Sequence, residues 1–294
     1  MRILVAGGTG FVGSNLVLRL MEEGHDLLIT GHDAEQKLPG FRGKYLQPGL
    51  LGIDWSALSG IDVLFHQAAI NDTTLGDESE MMRANAEASR KLFETVIAGG
   101  CRSIVYATST AVYGDVPAPY REKGPVNPLN AYARSKLALE AIAAETAAAH
   151  PGVALTGLRY CNVYGPRENH KGKRASMIWQ LAQQMKAGNP RIFKMGEQKR
   201  DYIYVEDVVR ANLPAIFPGV EILSAHLFRV IRDSDLELEQ GDADDLLETV
   251  DRSLRQLRRG AISLVKVDAD MPQRVLDILT DNFEVGSEIG RAHV

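Results

Sequence analysis

Cysteine is nearly absent from this 294-residue chain. Cys101 and Cys161 are the only two, too few for a disulfide framework and without metal-ligand spacing, so both read as small buried hydrophobes and no metal is expected. Runs of lysine or arginine are missing too, and the net charge is -5, which speaks against nucleic acid as a partner. No apolar stretch has the length of a membrane span. The first, Ile3 to Ala6, is interrupted by glycines before it reaches signal-peptide length, so a cytoplasmic protein with no membrane partner is expected. Internal repeats and low-complexity tracts are lacking as well, the alanine-rich Ala141 to Ala149 continuing a helix that ends before Pro151. What is present, 45% hydrophobic and 24% charged residues, is globular material for one large domain or two modest ones.

Strand-length apolar runs alternate with helix-like stretches: Ile3 to Ala6, Asn15 to Glu22, Asp26 to Thr30, Val63 to His66, Met81 to Ile97, Ser103 to Ala107 and Ala131 to Ala149. That rhythm predicts an α/β fold, a doubly wound parallel sheet of the Rossmann type with ligands at the carboxyl ends of its strands. Charge divides the chain in two. Lys/Arg number 24 against 22 Asp/Glu over residues 1–219, but 9 against 16 over 220–294. Within the acidic piece, Leu246, Leu247, Val250, Leu254 and Leu257 share a helical face, Ile262 to Val267 reads as a strand, and Pro272 opens a helix through Phe283.

The first strand runs into Gly7-Gly8-Thr9-Gly10-Phe11-Val12-Gly13 and a helix from about Ser14. This G-x-x-G-x-x-G spacing supplies a tight turn, a close backbone approach to a pyrophosphate and close packing of helix on strand, while the helix N-terminus offers N–H groups to phosphate. Gly7, Gly10, Phe11, Val12 and Gly13 are therefore candidate contacts of a dinucleotide. The second strand ends in Gly31-His32-Asp33. An NAD site ordinarily places an acid at the strand tip for the ribose 2′-hydroxyl; here Gly31 holds that place, and His32 either faces a 2′-phosphate or is a solvated loop residue. The cofactor is thus NAD or NADP.

A later strand ends in Thr108-Ser109-Thr110, and the next helix carries Tyr132-Ala133-Arg134-Ser135-Lys136. Four residues apart on a helix, Tyr132 and Lys136 share a face, so the ammonium is expected to lower the phenol's pKa and make Tyr132 a usable acid/base. Ser109 would hold the substrate oxygen while Tyr132 moves a proton and nicotinamide exchanges hydride with the same carbon.

Taken together, the glycine loop, His66-Gln67-Ala68-Ala69, Asn85, Ser109, Tyr132/Lys136 and Arg159-Tyr160-Cys161-Asn162-Val163-Tyr164-Gly165-Pro166-Arg167 resemble the extended short-chain dehydrogenase/reductases, the epimerases and dehydratases of nucleotide sugars, over about residues 1–212. The resemblance implies that Ala68, Ala69 and Asn85 lie along the cofactor, as do Tyr132 and Lys136, that Asn162 contacts the substrate, and that Arg200 meets its phosphates through a two-pronged guanidinium. It also implies self-association through helices such as Met81 to Ile97 and Ala131 to Ala149. The stretch Gly165 to Gly172 with Lys199-Arg200-Asp201-Tyr202 is most similar to the 6-epimerases of ADP-glycero-manno-heptose, which implies Lys171 as a second acid/base opposite Tyr132. Alternatively Lys171, with Lys173 and Arg174, is a solvated basic loop. Other nucleotide-sugar 4-epimerases, dehydratases, or a dinucleotide-binding module without turnover remain open.

Beyond about Pro214 the likeness changes. Phe228 to Asp235, Leu246 to Arg259 and Val267 to Pro272 resemble a non-catalytic middle segment of polyphosphate kinase. Glu288 to Val294 resembles a translated sequencing adaptor. The expected organisation is a Rossmann domain over 1–158, a partial substrate lobe over 159–213 that returns to the sheet, an unrelated segment over 214–287 and an artefactual tail over 288–294. A chimera joined within Val205 to Gly219, with impaired turnover, is the corresponding expectation.

Overall fold

The computed structural model describes residues 1–47, 52–71, 77–188, 190–191, 200–212, 228–232, 262–267, 273, 276–277 and 289–291. The chain divides into two compact units, Met1–Gly219 and Val220–Val294.

Unit one is built on six parallel strands in the order β3-β2-β1-β4-β5-β6. They are β1 Arg2–Ala6, β2 Asp26–Thr30, β3 Lys44–Leu46, β4 Val63–His66, β5 Ser103–Ser109 and β6 Ala154–Tyr160. Order reverses between β1 and β4, so a crevice opens at their carboxyl ends. The central strands are apolar throughout because helices cover both faces. Alternate residues feed two cores: Leu4, Leu64, Ile104 and Tyr106 pack with Leu92, Phe93, Val96, Leu139 and Ile142, whereas Ile3, Val5, Val63, Phe65 and Val105 pack with Leu16, Val17, Leu20 and Val209. Accordingly, helices α4 Ala88–Ala98 and α5 Ala131–Ala149 cover one face, and α1 Phe11–Glu22 and α7 Val205–Asn212 cover the other.

Several sequence expectations need adjusting. The stretch Met81 to Ile97 is not one helix: a π-helical turn, Arg83–Glu87, separates α3 Glu78–Met82 from α4. Short α2 Ala34–Lys37 and edge strand β3 were not foreseen. The sheet continues to Tyr160, two residues past the expected boundary. Residues 200–212 do not rejoin it as a strand; β8 Tyr202–Tyr204 pairs in parallel with β7 Asn162–Tyr164 in a separate two-stranded sheet. The backbone N–H and side-chain amide of Asn162 both donate to the Asp201 carbonyl, at 3.1 and 2.9 Å, which fixes that pairing. What returns is α7, whose Val209 enters the core beside α1. Between the two strands lies α6 Met177–Lys186.

Unit two holds β9 Phe228–Arg232 antiparallel to β10 Ile262–Val267, and β10 parallel to β11 Ile289–Arg291. The strand expected at Ile262 to Val267 is therefore present. The helical face expected at Leu246 to Leu257 lies outside the described residues, and of Pro272 to Phe283 only 273, 276 and 277 are described, as helical. No helix among the described residues is long and apolar enough to cross a membrane.

Candidate active site

At the end of β1 the chain turns at Gly7, with φ +80°, and hydrogen bonds from Gly8 N to Val5 O (3.1 Å) and Gly10 N to Gly7 O (2.9 Å) close the turn. A Cβ on Gly7 would lie 2.6 Å from the Ala68 nitrogen, and one on Gly13 would run into the Gly7 carbonyl. Two backbones thus meet where side chains cannot fit. Gly10 caps α1 without a side-chain bond, so the first N–H groups of a 12-residue helix point towards the crevice for an anionic ligand. Phe11 is buried and Val12 half-buried behind them. These residues fit a dinucleotide pyrophosphate.

The tip of β2 explains the missing acid. Gly31 has φ +150°, and a Cβ there would collide with the Thr9 hydroxyl, which accepts a hydrogen bond from His32 N at 2.9 Å. A side chain at position 31, acidic or otherwise, would have to displace Thr9. His32 itself is exposed, and the carboxylate of Asp33 lies 3.5 Å from Lys37 Nζ on its own short helix.

Opposite the glycine turn, Gln67, Ala68 and Ala69 leave β4 as a wall, anchored by Gln67 N to Ala6 O at 2.8 Å. Asn85, expected along the cofactor, is fully buried in the π-helical turn. Its amide accepts from Ile70 N (2.8 Å) and donates to Ile70 O (2.9 Å) and Ser135 Oγ (3.0 Å). These bonds brace the wall against α5.

The acid/base set assembles at the end of β5 and the first turn of α5. Asn130 caps α5 by accepting from Ala133 N at 2.8 Å, which sets Tyr132 at the mouth with its phenol in the neighbourhood of Ser109, whose own Oγ accepts from Ala111 N at 3.1 Å. Lys136 is buried, donates to the Ala107 carbonyl at 2.7 Å, and stands 6.0 Å from the Tyr132 ring centroid. Burial brings its pKa down to about 8, against the opposing charge of Glu140. The Tyr132 phenol is not lowered as expected: burial raises it, with the Ser109 hydroxyl acting the other way. The ammonium is engaged by a backbone carbonyl rather than by the phenol.

Behind the wall, His66 is 1% exposed. Its Nε2 lies 2.7 Å from Ser89 Oγ, whose own proton goes to the Asn85 carbonyl at 2.8 Å. Nε2 must therefore carry the proton, and Nδ1 is left without a partner among the described residues. Burial, with the Lys136 charge adding to it, depresses the His66 pKa to about 3. An unfolded histidine binds a proton through the range between about 6.5 and 3 where the folded one does not, so stability falls as pH drops through that window. His66→Asn is expected to make the acid limb of urea-midpoint against pH shallower above pH ~4, where Asp and Glu titration has yet to dominate; superimposable limbs contradict the neutral buried imidazole.

From the second strand pair, the segment after Gly165 folds onto α1. Arg167, at φ +72°, donates from Nε to Ser14 Oγ at 3.1 Å, and Asn15 donates to the Pro166 carbonyl at 3.2 Å. Lys171 is half-buried with Nζ 5.0 Å from the Phe11 ring centroid, its pKa pushed down by burial against the pull of Glu168. It is therefore packed on the cradle and not splayed into solvent. Glu168, whose role sequence reasoning missed, is 1% exposed and accepts from Gly165 N and Ser176 N, holding this loop and the start of α6. Asn162 faces Asp201, which brings the exposed Arg200 beside it, although Arg200 makes no side-chain bond among the described residues. Among those residues no group of His, Cys, Asp or Glu could hold a metal ion.

Comparison with known proteins gives two family matches. The NAD dependent epimerase/dehydratase family model matches residues 3–222, and the polyphosphate kinase middle domain model matches residues 170–289, so the two overlap. Among solved structures, ADP-L-glycero-D-manno-heptose-6-epimerase of Helicobacter pylori is 36% identical, with 74% of each chain covered and a TM-score of 0.67. UDP-glucose 4-epimerase of Thermotoga maritima, solved with UDP-glucose, is 29% identical over 74% of this chain and 73% of that one, TM-score 0.66. UDP-glucuronic acid 4-epimerase of Bacillus cereus, solved with UDP-glucuronic acid and NAD, is 25% identical over 76% and 75%, TM-score 0.66.

Proposed function

Since the chain belongs to the NAD dependent epimerase/dehydratase family, we propose that its first unit is a nucleotide-sugar epimerase that inverts a sugar carbon through a transient keto intermediate, with C6 of ADP-glycero-manno-heptose as the reacting centre. The observation that carries this reading is Lys171, packed on Phe11 at the cradle and supplied by a different segment from the one bearing Tyr132. Two acid/base groups from separate elements suit inversion, one serving the oxygen in each orientation of the reacting carbon. Bound dinucleotide supplies a nicotinamide that takes hydride and returns it. Ser109 holds the substrate oxygen, Tyr132 carries its proton, and Lys136, still largely protonated at pH 7, provides the charge that must draw closer for the phenol to serve as a base. Gly7, Gly10, Phe11, Val12, Gly13, Ala68 and Ala69 bind the dinucleotide, while Asn162 and Arg200 hold the nucleotide sugar.

NAD is the family's cofactor, and we extend the proposal to NADP. Support comes from the tip of β2, where Gly31 excludes an acid, Asp33 is turned to Lys37 and His32 is exposed. A cytoplasmic location and association of like copies complete the reading.

The second family match and the unit boundary at Gly219 support a further element: a chimera in which a polyphosphate-kinase-like segment stands where the sugar-closing lobe would continue. Turnover should then fall well below that of an intact relative, since small misplacement of substrate costs large factors in rate. One unbroken genomic read across both segments would contradict it. The role of Lys171 is checked by Lys171→Ala, made here and at the matching position of an intact relative. Epimerisation should drop about 100-fold or more with NAD binding kept; inversion at an unchanged rate removes Lys171 from the mechanism.

A further inference from the structure

Three side chains far apart in sequence close a hydrogen-bonded ring behind the cradle. Tyr160 Oη donates to Gln67 Oε1 at 3.1 Å, Gln67 Nε2 donates to Asn212 Oδ1 at 3.1 Å, and Asn212 Nδ2 donates back to Tyr160 Oη at 3.0 Å. Every bond runs in the same sense around the ring, so each donor polarises the next. Asn212 is fully buried and also donates to the Val208 carbonyl at 2.7 Å. Burial pushes the Tyr160 phenol up to about 12, so its proton stays on to donate at any working pH.

Each member belongs to a different part of the site. Gln67 begins the wall, and its neighbour Ala68 abuts the turn at Gly7. Tyr160 ends β6, two residues before Asn162, and its carbonyl accepts from Thr110 Oγ1 at 3.1 Å, next to Ser109. Asn212 closes α7, which follows β8 directly.

We propose that the Gln67–Tyr160–Asn212 ring is a positioning device for bound dinucleotide, fixing the Gln67–Ala68 wall at its distance from the glycine turn and holding strand β7 in step with it. All three are positioning residues, and the inference rests on the dinucleotide-binding part of the reading above. The competing account is that the ring only satisfies buried polar groups.

The two accounts separate in the full-length chain by NAD titration, hydrogen–deuterium exchange without NAD, and thermal midpoint. Tyr160→Phe should weaken NAD binding about tenfold, the size of one lost hydrogen bond, and speed exchange at Ala68, Ala69 and Asn162 to Tyr164 while β2 stays protected. Gln67→Met, which keeps the length of the side chain, should do the same and stands in if Tyr160→Phe does not fold. The two single variants lose the same Tyr160–Gln67 bond, so in the double variant Gln67→Met/Tyr160→Phe the thermal midpoint should fall by less than the two single losses together while affinity stays weak and exchange stays fast. An affinity within twofold of the parent, an unchanged exchange pattern, or a double variant that regains both would overturn the proposal. A parent chain that does not bind NAD overturns the dinucleotide reading instead, and the exchange comparison then decides the ring alone.

Discussion

Gly13→Val is expected to abolish dinucleotide binding, weakening NAD affinity at least ~100-fold, equivalent to about 2.7 kcal/mol. Gly13 lies in the first turn of α1, where an added Cβ would overlap the Gly7 carbonyl and come within 3.0 Å of the Gly8 Cα. Both atoms belong to the rigid turn that closes on β1, so neither can give way as a flexible side-chain end would. The helix must move off the strand instead. That displaces the N–H groups that a pyrophosphate would meet, and their alignment is the source of the affinity. Gly24→Ala is the fitting control: Gly24 also has a positive φ, +77°, but a Cβ there meets nothing within 4 Å. It should cost stability, about 1 kcal/mol, and leave NAD binding alone. A Gly13→Val chain that binds NAD like its parent would remove the glycine turn from the cofactor site.

Tyr132→Phe should lower whatever epimerisation the chain sustains by about 10²- to 10⁴-fold, the usual worth of a positioned proton carrier, with NAD affinity kept within a few-fold. The phenol lies close enough to Ser109 to feel its hydroxyl, and its removal leaves the cap at Asn130 and the Lys136 bond to Ala107 untouched. A loss of rate without a loss of binding therefore reports chemistry and not folding. Because burial raises the phenol's pKa while Lys136 loses its proton near pH 8, the parent rate should climb as pH rises towards about 8 and level or fall beyond it, and the variant's residual rate should not follow that profile. Product formation followed by NMR across pH reads both effects. A variant rate within tenfold of the parent would show that another group moves the proton.

Much of unit one is legible in its sequence because its central strands are apolar on both faces. β1, β2, β4 and β5 stand out as continuous runs. β3 does not, since three residues at a sheet edge carry too little pattern to separate from a loop. The π-helical turn is invisible for a different reason: a one-residue excess per turn barely disturbs the apolar spacing of the helix on either side. That turn decides the role of Asn85, which a resemblance could attach to the site but not assign to a brace. The glycine loop, Ser109, Tyr132 and Lys136 were readable as residue types at fixed spacing. How Lys136 is engaged was not, because its partner is the Ala107 carbonyl on another strand. Likewise the ring of Gln67, Tyr160 and Asn212 joins positions 93, 52 and 145 residues apart, and no local pattern announces such a closure. Glu168 falls between: a lone acid shortly before a helix cap hints at a role, but its two backbone partners emerge only from the fold.

The account stands most directly on the dinucleotide cradle, and titration of the purified full-length chain with NAD, read by protein fluorescence with NADP in parallel, tests it. Saturable binding with a dissociation constant below about 100 μM, a free energy near −5.5 kcal/mol, is the expected result, with NADP bound as well because no acid guards the tip of β2. A signal that fails to saturate with either dinucleotide into the millimolar range would contradict the account at its base, since the glycine turn, the wall and the α1 N-terminus would then have been assembled for something else.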